Sequence, residues 1–591
     1  MPHNLYKRAL IAVFLLLSLP AFHFDTNAQS RPNIVLILAD DQGWGDLSIN
    51  GNKNVRTPNI DKIGKEGARF SRFYVAPLCA PTRAGLLTGR YHYRSGVWGV
   101  SNSREFMNLD EVTLADLFKK AGYATGAFGK WHNGSQYPYH PNGRGFDEFY
   151  GFLSGHYANY FNTRLDHNGE RVRSKGYITD DLTDKAIDFI EKNKAQPFVC
   201  YIPYNAPHSP FQVPDAYYDR VKARGISQFS RDKSAEELEV TISALAMCEN
   251  IDDNVGRILS KLDQLKLAEN TIVIYLTDNG PNSWRWNGDM KGRKSMADEG
   301  GVRVPFLIRW PGKIQPGKII EGNAAYIDLL PTLTDLANVP SKGTKPLDGI
   351  SLRPVLTGKV AQVPERLLFT SINKNSSVRK GSYLFSGGSL YDLSKDSTQQ
   401  KDLSTQNPQL TKTLSAALEK WQQEMTASID TVRWLPVGYK KFPKTVLPSQ
   451  DAVLHGSKNG KLSYSATAPN SSWITNWNDT ASYAAWNVAI NTTGKYQVNV
   501  RYTSPDAGDT FAIAFNDSQI TGKITETFDP PLISSPDRVD RKGESYEKEF
   551  KTLQLGTLQL QKGQGKLTLT PTHLQGQTFA DIQAVELILI E

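Results

Sequence analysis

Asn33-Ile34-Val35-Leu36-Ile37-Leu38-Ala39 runs directly into Asp40-Asp41-Gln42-Gly43-Trp44-Gly45-Asp46. An unbroken apolar run rich in β-branched residues predicts a strand buried on both faces, because a strand with one wet face alternates instead. Two further runs repeat the arrangement. Thr271-Ile272-Val273-Ile274-Tyr275-Leu276-Thr277 ends in Asp278-Asn279-Gly280, and residues 197–203 lead into Tyr204-Asn205-Ala206-Pro207-His208. Helical periodicity lies between them, at 113–120, 183–192 and 238–265. Strands alternating with helices predict an α/β fold, a mostly parallel sheet flanked by helices. Ligands of such sheets bind outside the carboxyl ends of the strands, which is where these polar clusters fall. Asp40-Asp41 and Asp278-Asn279 together offer hard oxygen donors of the kind Ca²⁺ or Mg²⁺ prefers.

A chain of 591 residues exceeds what one core supports, so two or three domains are expected. The α/β pattern occupies 29–350. Short strands at 366–371, 383–387 and 390–393, followed by a helix at 409–426, predict a small antiparallel subdomain over 351–435. A stretch bearing Pro and Lys, 436–449, reads as a linker. Beyond it, 450–591 alternates apolar and polar residues between Gly, Asn, Asp and Pro, as in Ala485-Trp486-Asn487-Val488-Ala489-Ile490, and predicts a β-sandwich. Trp486-Asn487-Val488 with Gly494-Lys495-Tyr496-Gln497-Val498 loosely resembles carbohydrate-binding modules of galactose-binding-like fold. A sandwich that only packs against the α/β body accounts for the pattern equally well.

Lys7 and Arg8 before the apolar run 9–19, with Thr26-Asn27-Ala28 after it, read as a secretory signal peptide over 1–28, too short for a membrane span. No later stretch is long and apolar enough to cross a bilayer, so the mature protein is expected to be exported, periplasmic or secreted. A net charge of +8 with no concentrated basic run gives no case for nucleic acid and permits an anionic substrate. Three cysteines make a poor disulfide framework for an exported chain. Cys200 and Cys248 are either bridged or two buried free thiols, and Cys79 stands apart.

Cys79 opens Cys79-Ala80-Pro81-Thr82-Arg83, ahead of a helical pattern in Ala84-Gly85-Leu86-Leu87. A thiol there sits at or just before a helix N-terminus, whose unpaired N–H groups favour negative charge, and Arg83 adds a fork of donors suited to an oxyanion. The segment 77–90 resembles the signature of the type I sulfatases of the alkaline-phosphatase superfamily. In that family the cysteine of Cys-x-Pro-x-Arg is oxidised before folding to formylglycine, by a formylglycine-generating or an anaerobic sulfatase-maturing enzyme. Three more of the family's signatures follow in order: Gly129-Lys130-Trp131-His132, then Asn205-Ala206-Pro207-His208, then Lys294 five residues before Glu299-Gly300-Gly301. Together they cover roughly 31–312. Asn133 departs from the family pattern, where an aliphatic residue is common. The small subdomain likewise resembles the one that closes sulfatase chains, including Leu390-Tyr391-Asp392-Leu393 and Lys401-Asp402-Leu403.

The resemblance implies a catalytic set of Cys79, Arg83, Lys130, His132, His208, Asp278 and Lys294. It also implies one divalent cation, usually Ca²⁺, on Asp40, Asp41, Asp278, Asn279 and the formylglycine made from Cys79. Asp278 then takes a proton from the aldehyde hydrate, whose alkoxide attacks sulfur. Lys130, Arg83, Lys294 and the metal hold the sulfuryl oxygens. His208 protonates the leaving alcohol, and His132 deprotonates the second hydroxyl to release sulfate. The expected substrate is a sulfated polysaccharide or its oligosaccharides, algal (ulvan, carrageenan or similar) or animal. Subsite candidates are Trp98, Asn133, His140, His156, Arg164, Trp284 and Trp286. The rivals are a phosphate or phosphonate ester hydrolase of the same superfamily and a glycan-binding protein with a dead hydrolase domain.

Overall fold

β1 (Asn33–Ala39) lies in the middle of an eleven-stranded sheet in the computed structural model, which describes residues 31–427 and 429–591. The signal-peptide reading of 1–28 lies outside the described residues. The other strands are β2 (Ala68–Tyr74), β3 (Ala124–Lys130), β4 (Glu148–Phe152), β5 (Arg164–His167), β6 (Glu170–Arg173), β7 (Phe198–Pro203), β8 (Thr271–Thr277), β9 (Arg303–Val304), β10 (Phe306–Arg309) and β11 (Lys318–Ala325). Their order is β11-β2-β10-β8-β1-β7-β3-β4-β5-β6, with β9 beside β2. The centre, β8-β1-β7-β3-β4, is wholly parallel.

Every residue of β1, β7 and β8 is buried. Alternate side chains feed two cores. Ile34, Leu36 and Leu38 meet Ile272, Ile274 and Leu276 on one face. Val35, Ile37 and Ala39 meet Cys200, Ile202 and Tyr275 on the other, under the helix Leu238–Gln264. This double burial is why the run carries no period-two alternation. Register then fixes the site: Ala39 pairs with Thr277, so Asp40 and Asp278 leave the sheet side by side. Cys200 and Cys248 share the second core as free thiols, which selects that alternative over a bridge.

Strands Leu367–Ile372, Asn375–Lys380, Tyr383–Ser386 and Ser389–Asp392 form an antiparallel sheet in chain order. The helix Pro408–Thr426 puts Leu414, Leu418, Trp421 and Met425 into the first core with Leu368 and Val378. The C-terminal region is two six-stranded sheets around a core that includes Trp477, Trp486 and Tyr496.

The linker reading of 436–449 is corrected. Leu435–Val437 pairs with Tyr483–Ile490, and Lys444–Pro448 pairs with Asp581–Leu589, so one strand joins each sheet of the sandwich. Lys444-Thr445-Val446-Leu447-Pro448 does alternate in burial, with Pro448 tolerated because the strand lies at a sheet edge, paired with Asp581–Leu589 alone. The seam with the α/β body is shared as well: Phe106 and Tyr139 belong to the sandwich core, and the Gln136 amide donates to Val446 O at 2.9 Å. Among the described residues no helix is long and apolar enough to cross a membrane.

Candidate active site

At the carboxyl end of β1 the Asp40 N–H donates to Ala206 O at 3.0 Å, tying this end to the loop after β7. Asp41 adopts a left-handed backbone, φ 63°, and its N–H donates to Asp278 Oδ1 at 3.2 Å. A φ in this region costs a non-glycine residue energy, so neighbours must hold it. Arg285 does so: its guanidinium donates to Asp41 O at 2.9 Å and forms a buried ion pair with Asp46 at 2.7 Å.

Cys79 is the first residue of the helix Cys79–Thr88. That helix begins five residues before Ala84, and Pro81 falls within its first turn, where no backbone N–H is required of it. The thiol is 3% exposed. Burial raises its pKa even though Lys130 and Lys294 favour the thiolate, so the bare cysteine is a poor nucleophile. Ligand atoms of Asp40, Cys79 and Asp278 lie within 4.8 Å of one another, as do those of Asp40, Asp41 and His208.

Arg83 is wholly buried beside Asp278 and Lys130. Its Nε and Nη2 donate to Asp278 Oδ2 at 3.1 and 2.8 Å, Nη1 donates to Lys130 O at 2.7 Å, and Asp40 Oδ2 is 3.6 Å from Nη2. It has no exposed surface and fixes these carboxylates and the backbone of Lys130. Lys130 Nζ contacts Asp40 Oδ2 at 2.5 Å, and Lys294 Nζ lies 2.7 Å from Asp41 Oδ1. Lys291 pairs instead with Asp298 at 3.5 Å.

Asp278 departs from the other two aspartates, whose carboxyls are both held low. Burial opposes charge at all of them. At Asp41, Lys294 and His208 outweigh burial and hold the carboxyl well below the usual range. At Asp278, burial and then the charge of Asp40 prevail over Arg83 and push the group up to about 7. His208 Nε2 sits 3.5 Å from Asp41 Oδ2, and Nδ1 is 2.6 Å from Ser209 O. Burial lowers the His208 pKa, with Asp41 opposing. His132 also has a left-handed backbone, φ 65°. Its Nε2 is 2.8 Å from Val100 O, leaving Nδ1 buried without a partner.

The donor set fits a hard divalent cation. Asp40 Oδ1 and Asn279 Oδ1 are buried with no hydrogen-bond partner, beside the carboxylates of Asp41 and Asp278. Unpartnered inward oxygens of this kind suit an oxygen-coordinated ion. Asn279 Nδ2 donates to Asp41 Oδ1 at 2.7 Å and to Gly280 O at 2.9 Å, which fixes the amide beside the cluster.

Among the subsite candidates, Trp284 and His156 adjoin this centre. Trp284 shares a cleft with Asp41, His208 and Lys294, and the His156 ring is 6.2 Å from that of His208. Asn133 is buried and donates to Ala80 O and Glu105 O at 3.1 and 3.2 Å, so it braces the start of the Cys79 helix and touches no open cleft. His140 packs on Phe149 and Phe442 with Nε2 on Asp166 at 3.2 Å, and Arg164 pairs with Glu549. Trp98 lies against the first core, and Trp286 against Trp44.

Sequence reasoning missed Arg285, Asp46 and Arg379. The last pairs with Glu299 at 3.1 Å while Ser377 donates to Ala297 O at 2.9 Å, so the small subdomain clamps the loop that carries Lys294. No local pattern marks these partners, which come from elements far apart in the chain.

A family model described as Sulfatase matches residues 32–339. N-acetylgalactosamine-6-sulfatase of Canis lupus familiaris is 33% identical over 378 residues, spanning 58% of this chain and 69% of that one. Steryl-sulfatase of Homo sapiens is 30% identical over 446 residues, spanning 59% and 73% respectively. The crystal structure of Ps i-CgsB in complex with k-i-k-neocarrahexaose superposes with a TM-score of 0.62 at 30% identity, covering 67% of this chain and 94% of that chain.

Proposed function

The chain belongs to the sulfatase family and is a sulfuric ester hydrolase, and from that premise we propose that it is exported, carries formylglycine at position 79 and desulfates a glycan. The carrying observation is the meeting of Cys79, Lys130, Lys294 and His208 around Asp40, Asp41 and Asp278 at the ends of β1 and β8. The glycan class is supported by the relatives named for N-acetylgalactosamine 6-sulfate and by the structure bound to neocarrahexaose.

Asp40, Asp41, Asp278 and Asn279 would hold the divalent cation, Ca²⁺ if the chain follows its family, and it would neutralise charge on the sulfuryl group. Aldehyde hydrate at position 79 supplies one hydroxyl to attack sulfur and a second whose deprotonation frees sulfate. Around it the residues divide the work. Asp278, beside residue 79 in the same cluster, is the carboxylate placed to take the hydroxyl proton. Arg83 holds that carboxylate in place. Lys130 and Lys294 face the bound anion from two sides, an arrangement fixed before the reaction begins. His208 Nδ1 is occupied at Ser209 O, so Nε2 is the nitrogen left to protonate the departing alcohol. His132, with Nδ1 unpartnered, takes the proton of the second hydroxyl.

Residue 79 is too buried for a modifying enzyme to reach in the folded protein, so the maturation partner acts on the unfolded chain. The test is peptide mass spectrometry of residue 79 in an active preparation, together with sulfate and phosphate release from one aryl alcohol and a panel of sulfated oligosaccharides. An aldehyde at 79 with sulfate released faster than phosphate is expected. An unmodified thiol during full turnover, or faster phosphate release, would overturn the reading.

A further inference from the structure

The family model ends at residue 339, yet the cleft that opens on the catalytic cluster is closed by residues from beyond 530. Resting on the sulfate-ester reading of the site, we propose that the 535–546 segment of the C-terminal sandwich forms a substrate subsite. Together with Trp284 it holds the sugar ring whose hydroxyl bears the sulfate. A cleft of ≈ 440 Å³ is lined by Asp41, His208 and Lys294 and, from other elements, by Trp284, Lys542 and Glu544.

The segment is built into position. Its Arg538 donates through the backbone to Phe211 O and through the guanidinium to Val213 O, each at 2.9 Å. Arg541 braces it from within, Nε on Asp537 Oδ2 at 2.8 Å and Nη2 on Ser535 Oγ at 3.1 Å. Lys542 reaches Glu237 of the α/β body at 2.6 Å. Glu544 accepts from the hydroxyl of Ser209, the residue after His208, and has no further protein partner among the described residues. On the other side of the centre Ser471, also from the sandwich, donates to His156 O at 2.9 Å.

His208 lies where the leaving alcohol departs, so the body of the substrate must extend past it into this cleft. The chemistry there points to a sugar. Carboxylates of Glu237, Asp540 and Glu544 accept hydroxyl donors, and the half-buried Trp284 offers a flat apolar surface for a ring face, with Arg293 5.4 Å from its centroid. Outside the catalytic residues, Arg293, Arg541 and Lys542 are matched by those three acids. The cleft therefore selects a pyranose with free hydroxyls around the scissile sulfate rather than a neighbouring anionic group, and it is too polar for a steroid-like alcohol.

Glu544→Gln and Trp284→Leu are compared with wild type on 4-nitrophenyl sulfate and on the fastest-cleaved member of the sulfated oligosaccharide panel. Loss of kcat/KM on the glycan should exceed loss on the aryl ester by about tenfold or more, and should sit in KM. Equal losses on both substrates, or none on either, would overturn the inference. Turnover of the aryl ester shows independently that the sulfatase reading holds. Were no sulfate ester cleaved, calorimetric binding of the same panel still decides: weaker binding by Glu544→Gln supports the subsite, and an unchanged Kd removes it.

Discussion

In β1 and β8 every side chain is buried, whereas in Gly494–Thr503 and Thr510–Phe515 of the sandwich, buried and half-exposed residues take turns. A strand covered on both faces has no room for polar chemistry along its length, so Asp40, Asp41, Asp278 and Asn279 come immediately after its last apolar residue. A sandwich strand has one freer face, and its contribution to the cleft comes from a long connection, 524–550, between Ser518–Lys523 and Lys551–Leu560. Both regions work at their edges. In the sheet the functional residue is next to the strand that positions it, and in the sandwich it is not.

Breaking the sheet end should have the largest effect. Asp40→Asn removes an oxygen donor and the partner of Lys130, and should lower kcat/KM by about 10³-fold or more with the melting temperature little changed. Chelation should weaken wild type in the same direction. Full turnover by protein shown to be metal-free by elemental analysis would refute the cation site.

The next test sharpens the boundary between centre and cleft. His208→Ala should cost a sugar sulfate about 10²–10⁴-fold, because its alcohol needs a proton, and an aryl sulfate with a good leaving group far less. Equal losses would remove His208 as the general acid.

The smallest effect is expected at the seam between the two regions. Glu105 of the α/β body and Asp451 of the sandwich each keep a buried oxygen without a partner. Burial, and for Glu105 the charge of Asp451, push them up to about 8 and about 7. Folded pKa values above those of the unfolded chain mean stability that is full below the ordinary carboxyl range near 4. It is lost as pH rises through 7 to 8. The melting temperature should fall by about 2–4 °C between pH 6 and pH 9. Glu105→Gln with Asp451→Asn should flatten that slope; an unaltered slope would show that other groups set it.

What was legible follows from the same contrast. The parallel core, its polar ends and the residues that gather there could be read because double burial and strand-end chemistry leave contiguous marks. The helix and the place of the thiol at its start were readable, and Pro81 fits because the first turn tolerates it. Strand Lys444–Pro448 was hidden by its own Pro and Lys. That the Arg83 guanidinium also bonds Asp278 could not be read from its motif, because the two residues lie far apart in the chain. Asn133 drew attention as a departure from pattern and proved to be a brace. The contact between Glu544 and Ser209 spans too much chain for any local pattern to announce it.

Phe106 and Tyr139 complete the interior of a domain whose own strands begin at Leu435. Synthesis runs from the N-terminus, so both aromatics are made long before the strands that will cover them. With roughly 300 residues between Tyr139 and Leu435 and a rate of about 5–20 residues per second, the wait is of the order of a quarter of a minute to a minute. Until the strands from Leu435 onward are made and paired, these two aromatics have no sandwich interior to fill.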